Sequence, residues 1–213
     1  MRRIYLVRHG MPEKSTSEKE YIGVTDRPLS TRGSTEAAQL GRYFLQRLSV
    51  TTTVRILTSP LQRCRQTAAE MYRVLSDGGI ELSEPLVVEA LHEIDLGEWE
   101  GKSVRGIRER FLEAYEARGR ALGTYHTPGG ESFLEAGVRF QNAMETYASD
   151  TDMSEILLVV AHAGVIRAYL SLLMGRDLDH LMDIPLPYAS VTELQLSRKG
   201  TDVVPDHIGV RPE

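Results

Sequence analysis

His9 stands directly after the apolar run Ile4-Tyr5-Leu6-Val7 and its flanking Arg8, and His162 directly after a second run, Ile156-Leu157-Leu158-Val159-Val160-Ala161. Each histidine therefore sits at the carboxyl end of a predicted strand, where open α/β sheets gather their ligands. Arg63 falls in the first turn of a predicted helix after a third apolar run, Val54 to Thr58, at the same end of the sheet. Glu93 falls in the loop after a short edge strand, Leu86 to Val88. Two imidazoles, two guanidinium groups and one carboxylate around one crevice suit phosphoryl transfer. The planar fork of arginine matches phosphate oxygens, and each charge-assisted hydrogen bond contributes about 1.5–3 kcal/mol. Helices starting near Ser59 and Ala163 would offer backbone N–H groups to the same anion. The surrounding cations should lower the pKa of His9 and keep its imidazole neutral and nucleophilic.

The elements that must position these residues can be read from periodicity and caps. The uniformly apolar run 156–161 is the pattern of a strand covered on both faces, hence central and parallel. Ser30 should cap a helix to about Leu48, with Ala37, Leu40, Phe44, Leu45 and Leu48 at helical spacing. Ser59-Pro60-Leu61-Gln62 reads as an N-cap serine with proline at the first helical position, for a helix to about Leu75. Ser103 should open one amphipathic helix to about Glu116, with Val104, Ile107, Phe111, Leu112 and Tyr115 inward. Ser132 and Glu135 form a capping box for a helix to about Ser149. Gly164 to Met174 is a further helix, closed by Gly175. Ser190 to Leu196 alternates, Lys199-Gly200 is a turn, and Val203 to Ile208 should pair back as a hairpin. Strands alternating with helices give an α/β fold, a three-layer α/β/α sandwich with a mostly parallel central sheet and an antiparallel edge strand.

The bulk composition is that of an ordinary globular domain: 213 residues, 41% hydrophobic and 26% charged. The reading is one domain over 1–213 with a helical lid insertion around 103–130. A formal net charge of −5 gives no global attraction for nucleic acid, so an anionic substrate would have to be met by a local basic cluster. The single cysteine, Cys64, permits no intrachain disulfide and no cysteine-based zinc site. It reads as a small buried residue, in keeping with a reducing compartment. Four apolar residues after Arg2-Arg3 are too few for a signal peptide, and no run has membrane-spanning length. The expectation is a cytoplasmic protein that uses no membrane, metal or cofactor, with a homodimer left open. Gly97 to Ser103 is one residue short of a P-loop, carries two glutamates and follows no strand, so it is rejected as a nucleotide site.

Leu6-Val7-Arg8-His9-Gly10 resembles the signature of the histidine phosphatase superfamily, the phosphoglycerate mutase-like proteins. The resemblance continues in order through Gly23 to Ser30, Thr58 to Ala68, Leu91 to Gly101, Pro128 to Ser132 and Val160 to Gly164, and spans roughly residues 3–196. It implies that His9 accepts the phosphoryl group, and that Arg8, Arg63 and His162 hold the transferring oxygens. Glu93 would protonate the leaving alkoxide and then activate water, entering the reaction protonated. It further implies phosphate or substrate contacts at Ser15, Gly23 and Ala163. Met11-Pro12-Glu13-Lys14-Ser15 departs from the family pattern, and Ser15 replaces a longer asparagine. The blocks look most like α-ribazole phosphatases and broad-specificity phosphatases. The expected activity is therefore hydrolysis of a small phosphorylated metabolite, α-ribazole phosphate among the candidates. A mutase, or a non-catalytic phospho-ligand binder, is the alternative. Arg120 and His126 are candidates for lining the lid.

Overall fold

A computed structural model describes residues 2–14, 16–149, 155–197, 200–203 and 207–212. The strands are β1 (Arg2–Arg8), β2 (Val54–Thr58), β3 (Leu86–Val87), β4 (Ile156–Ala161), β5 (Val191–Ser197) and β6 (Gly200–Val203). They form one six-stranded sheet in the order β3-β2-β4-β1-β5-β6. Pairing is parallel from β3 to β1 and antiparallel from β1 through β5 to β6.

The helices are α1 (Thr31–Leu45), α2 (Gln62–Asp77), α3 (Val104–Arg110), α4 (Leu112–Arg120), α5 (Phe133–Ser149) and α6 (Ala163–Leu173). Strand side chains alternate between faces, so each strand feeds two cores. Tyr5, Val7, Ile56, Leu158 and Val160 pack with Leu40 and Phe44 of α1 and Cys64, Ala68 and Met71 of α2. Ile4, Leu6, Leu57, Leu157 and Val159 pack with Phe133 and Phe140 of α5 and Val165 and Ile166 of α6. The three layers predicted from the sequence are thus present, and β4 is buried along its whole length.

Local chemistry differs from expectation in three places. Ser30 does cap α1, accepting from Gly33 N–H. Ser59 does not cap α2: the helix starts at Gln62, and its cap comes from Asp26, whose Oδ1 accepts the Gln62 N–H at 2.7 Å. Ser59 is freed for the site. The single helix expected from Ser103 is broken at Phe111, where φ −134° and ψ 49° leave the helical region between α3 and α4. Phe111 and Leu112 accordingly face solvent instead of the core, 49% and 51% exposed. The returning strand is Gly200–Val203, earlier than expected. Lys199 and residues 204–206 lie outside the described residues. The Ser132–Glu135 capping box is formed as read, with Ser132 N–H donating to Glu135 and Glu135 N–H to Ser132. Among the described residues no helix is long and apolar enough to cross a membrane.

Candidate active site

β1 and β4 lie side by side in parallel, with Arg8 opposite Ala161. The residues that follow them, His9 and His162, therefore emerge together, and their rings meet edge-on with centroids 5.1 Å apart. Both are buried. His9 Nδ1 lies 2.7 Å from Gly10 O. A carbonyl can only accept, so Nδ1 carries the proton and Nε2 holds the lone pair in the neutral ring. Burial first, and the Arg63 and Arg8 charges after it, hold His9 well below the ordinary histidine value. The sequence pointed to the cations alone; desolvation is the larger cause.

The same reasoning fixes His162. Arg63 Nε donates to its Nδ1 at 3.2 Å, so the proton sits on Nε2 and goes to Ser59 Oγ at 2.7 Å. Burial, then Arg63, His9 and Arg8, depress its pKa far below the usual range. With both ring nitrogens occupied, His162 orients Arg63 rather than presenting a free N–H. Cys64 is buried behind it, and burial pushes its thiol pKa up.

Arg63 has only 2% exposure. Beyond the bond to His162, its two terminal nitrogens donate to Thr25 O at 2.8 Å and Gly23 O at 2.7 Å. Three of the five N–H groups of a guanidinium are thus committed to the protein. Gly23 acts here as a holder of Arg63, since its carbonyl is taken by Arg63 and its N–H by Glu100. Arg8 donates to Leu186 O, lies 3.8 Å over the Tyr188 ring, and its Nε has no hydrogen-bond partner among the described residues. Tyr188 also stacks 5.7 Å from His9. Ser15 lies outside the described residues.

Glu93 reaches the start of α6. Its Oε2 accepts Gly164 N–H at 2.9 Å; its Oε1 accepts Val165 N–H at 2.8 Å and Ile94 N–H at 2.9 Å. A Cβ at position 164 would stand 2.6 Å from Oε1, so only glycine admits the carboxylate here. All three bonds use Glu93 as an acceptor. The preceding N–H, that of Ala163 in the first position of α6 directly after His162, has no acceptor among the described residues.

Sequence reasoning passed over Glu100, one of several acidic residues near Glu93. Its carboxylate gathers Gly23 N–H, Val24 N–H, Thr25 N–H, the Thr25 hydroxyl and Leu96 N–H. It binds the loop whose carbonyls hold Arg63 to the segment that carries Glu93. A Cβ on Gly23 would come within 2.0 Å of Ile94 O, so the two loops can close only with glycine there. The adjacent Trp99-Glu100-Gly101 block was the available signal.

A cavity of about 450 Å³ opens beside Glu93, Ala163 and Gly164. Val104, Tyr115, Arg118 and Leu122 line it from the 103–130 segment. Arg120 and His126 do not reach it; they are exposed and paired with Glu116 and Glu135. A larger cavity of about 550 Å³, between α2 and β3, contains none of these site residues.

Comparison with known proteins agrees with this architecture. The family model described as histidine phosphatase superfamily, branch 1, matches residues 4–205. A Hydrogenobacter thermophilus protein provisionally named phosphoserine phosphatase 2 is 29% identical, covering 96% of this chain and 94% of its own. Other curated relatives are 6-phosphofructo-2-kinase/fructose-2,6-bisphosphatases, of which this chain spans only 25% in Arabidopsis thaliana and 39% in Gallus gallus. A mycobacterial glucosyl-3-phosphoglycerate phosphatase solved with VO3 superposes with a TM-score of 0.75 at 25% identity, covering 95% of this chain and 98% of that one. The α-ribazole phosphatase of Shigella flexneri shares the fold, with a TM-score of 0.76 at 23% identity over 98% and 96% of the two chains.

Proposed function

This chain belongs to the histidine phosphatase superfamily, and on that premise we propose that it hydrolyses small phosphate monoesters through a phosphohistidine on His9, without a metal or cofactor. One observation carries the proposal. The Gly10 carbonyl takes the Nδ1 proton of a histidine kept neutral by burial, which leaves the Nε2 lone pair as the nucleophile.

Nε2 attacks phosphorus and the bond to the leaving oxygen breaks. Glu93, loaded with a proton when the ester arrives, delivers it to that oxygen. Water then attacks the phosphohistidine, Glu93 takes the water's proton, and inorganic phosphate leaves with His9 restored. Arg8, Arg63 and the Ala163 N–H meet the charge on the transferring oxygens, so catalysis rests on positioning and fixed electrostatics. The 103–130 segment serves as the lid over the leaving group, and α-ribazole phosphate is one candidate ester.

Rapid alkaline quenching during turnover, followed by peptide mass spectrometry, should find an acid-labile phosphate on His9. Released inorganic phosphate should account for all of the ester consumed, unaffected by chelators. A phosphorylated residue other than His9, or none, would overturn the proposal. Isomerised ester in place of released phosphate would make the chain a mutase.

A further inference from the structure

Arg118 differs from the other cations of the site in what surrounds it. It lies on α4 and lines the 450 Å³ cavity next to Glu93. Its guanidinium carbon sits 5.5 Å from the Tyr21 ring centroid and 5.7 Å from that of Phe133. Burial lowers its pKa, partly offset by the hydroxyls of Tyr21, Tyr125 and Tyr115 nearby. Among the described residues no carboxylate pairs with it.

The cavity's own acids are already engaged. Glu20 is paired with Arg27 at 2.9 Å, and Glu93 is held by three backbone N–H groups. Arg167, which also lines the cavity, is tied by its Nε to Ile184 O at 2.8 Å. Arg118 is therefore a partly desolvated cation that, among the described residues, is met by aromatic rings and no carboxylate. Cation–π attraction offsets only part of that desolvation. An anion entering the cavity would complete it with a charge-assisted, two-pronged bond.

We propose that this cavity selects phosphate monoesters whose leaving group carries a carboxylate on a flat or apolar body, with Arg118 reading the carboxylate and Tyr21 and Phe133 packing the body. A single planar fork among rings suits one carboxylate. The inference rests on the phosphatase reading, because it takes the Glu93 side of the cavity as the leaving-group side.

The test uses benzylphosphonates, which cannot be hydrolysed, so that binding is read apart from turnover. Carboxybenzylphosphonates and their carbamoyl counterparts, as 3- and 4-isomers, are titrated calorimetrically into the full chain. The better carboxylated isomer should bind about 10- to 100-fold tighter than its neutral twin, the worth of one charge-assisted hydrogen bond. Arg118→Met should erase that gap and Arg118→Lys should keep part of it. Phenyl phosphate, which has no carboxylate, should lose far less kcat/KM to Arg118→Met than its carboxylated counterpart does. Equal affinity for the twins in the wild type, or a gap that survives Arg118→Met, overturns the assignment. If the gap appears and depends on Arg118 but no phosphate is released from any ester, the cavity assignment stands and the hydrolytic reading falls.

Discussion

Acidification should destabilise this protein through its two crevice imidazoles, by an amount that can be worked out. His9 and His162 are buried, at 5% and 0% exposure, and both are held well below the ordinary value of 6.5. In the unfolded chain each returns to about 6.5. Below that pH the unfolded state binds protons that the folded state refuses, so stability rises with pH. The contribution is fully present above pH 6.5 and is lost as pH falls from 6.5 toward the depressed folded values. Inside that window each pH unit costs about 1.4 kcal/mol per histidine, about 2.7 kcal/mol for the pair. Against a typical total of about 5–15 kcal/mol this is a large fraction. Urea melts at pH 7.5, 6.5 and 5.5 should be run on the wild type, on His9→Asn and His162→Asn, and on the double variant. Carboxylates titrate alike in all four, so the difference in slope isolates the imidazoles. Each single variant should remove about half of the imidazole slope and the double variant nearly all of it. Parallel stability curves for the wild type and the double variant would refute the reasoning, since buried neutral histidines would then not be what separates the two states.

Two further predictions concern residues that position or move protons. Glu93→Gln should slow hydrolysis of an alkyl phosphate by about 10²- to 10⁴-fold, the usual worth of general acid catalysis. It should slow p-nitrophenyl phosphate far less, because that leaving group departs without a proton. Equal losses on both esters would remove Glu93 from the proton's path. Glu100→Leu strips the acceptor from five donors and should cost about 3 kcal/mol or more in a urea melt. It should also weaken inhibition by inorganic phosphate, because the carbonyls of Gly23 and Thr25 that hold Arg63 lose their anchor. Glu100→Gln should restore part of both. Lost stability with an unchanged inhibition constant would show that Glu100 supports only the fold.

Much of the fold was legible because its signals are local. The run 156–161 is apolar at every position, and such a strand has nowhere to lie but the centre of a covered sheet. Ser30 and Ser132 announce their helices through side chains that reach only three residues. His9, His162, Arg63 and Glu93 could be singled out together because each follows a strand at the carboxyl end of the sheet. What escaped depends on contacts distant in sequence. Asp26 caps a helix that begins 36 residues later, a function the adjacent Ser59-Pro60 mimics in sequence. The break at Phe111 is invisible to periodicity, since Val104, Ile107, Phe111 and Leu112 fit one helical face. Glu100 was hidden among neighbouring carboxylates, because the donors that distinguish it lie 75–77 residues away on the Gly23–Thr25 loop. Arg118 was hidden among the arginines of the 103–130 segment, and Arg120, two residues on, faces solvent instead.

The start of α6 explains why these parts must sit so close together. A helix N-terminus offers several N–H groups without internal partners, and they attract any anion within reach. Here Glu93 takes those of Gly164 and Val165 and leaves that of Ala163. One helix end can thus hold a carboxylate and a phosphoryl oxygen one residue apart, with the histidine that orients Arg63 immediately before them. Gly164 is what permits it, since any Cβ would displace Glu93. In the proposed mechanism, the distance between the proton carrier and the phosphoryl group would then be set by backbone pitch and not by flexible side chains. If His9 is the nucleophile as proposed, the leaving oxygen would point away from it along the line of displacement, and Glu93 and Arg118 line one cavity there. On the proposed mechanism, selectivity and proton delivery would therefore be exercised on the same side of the transferring phosphorus, opposite the nucleophile.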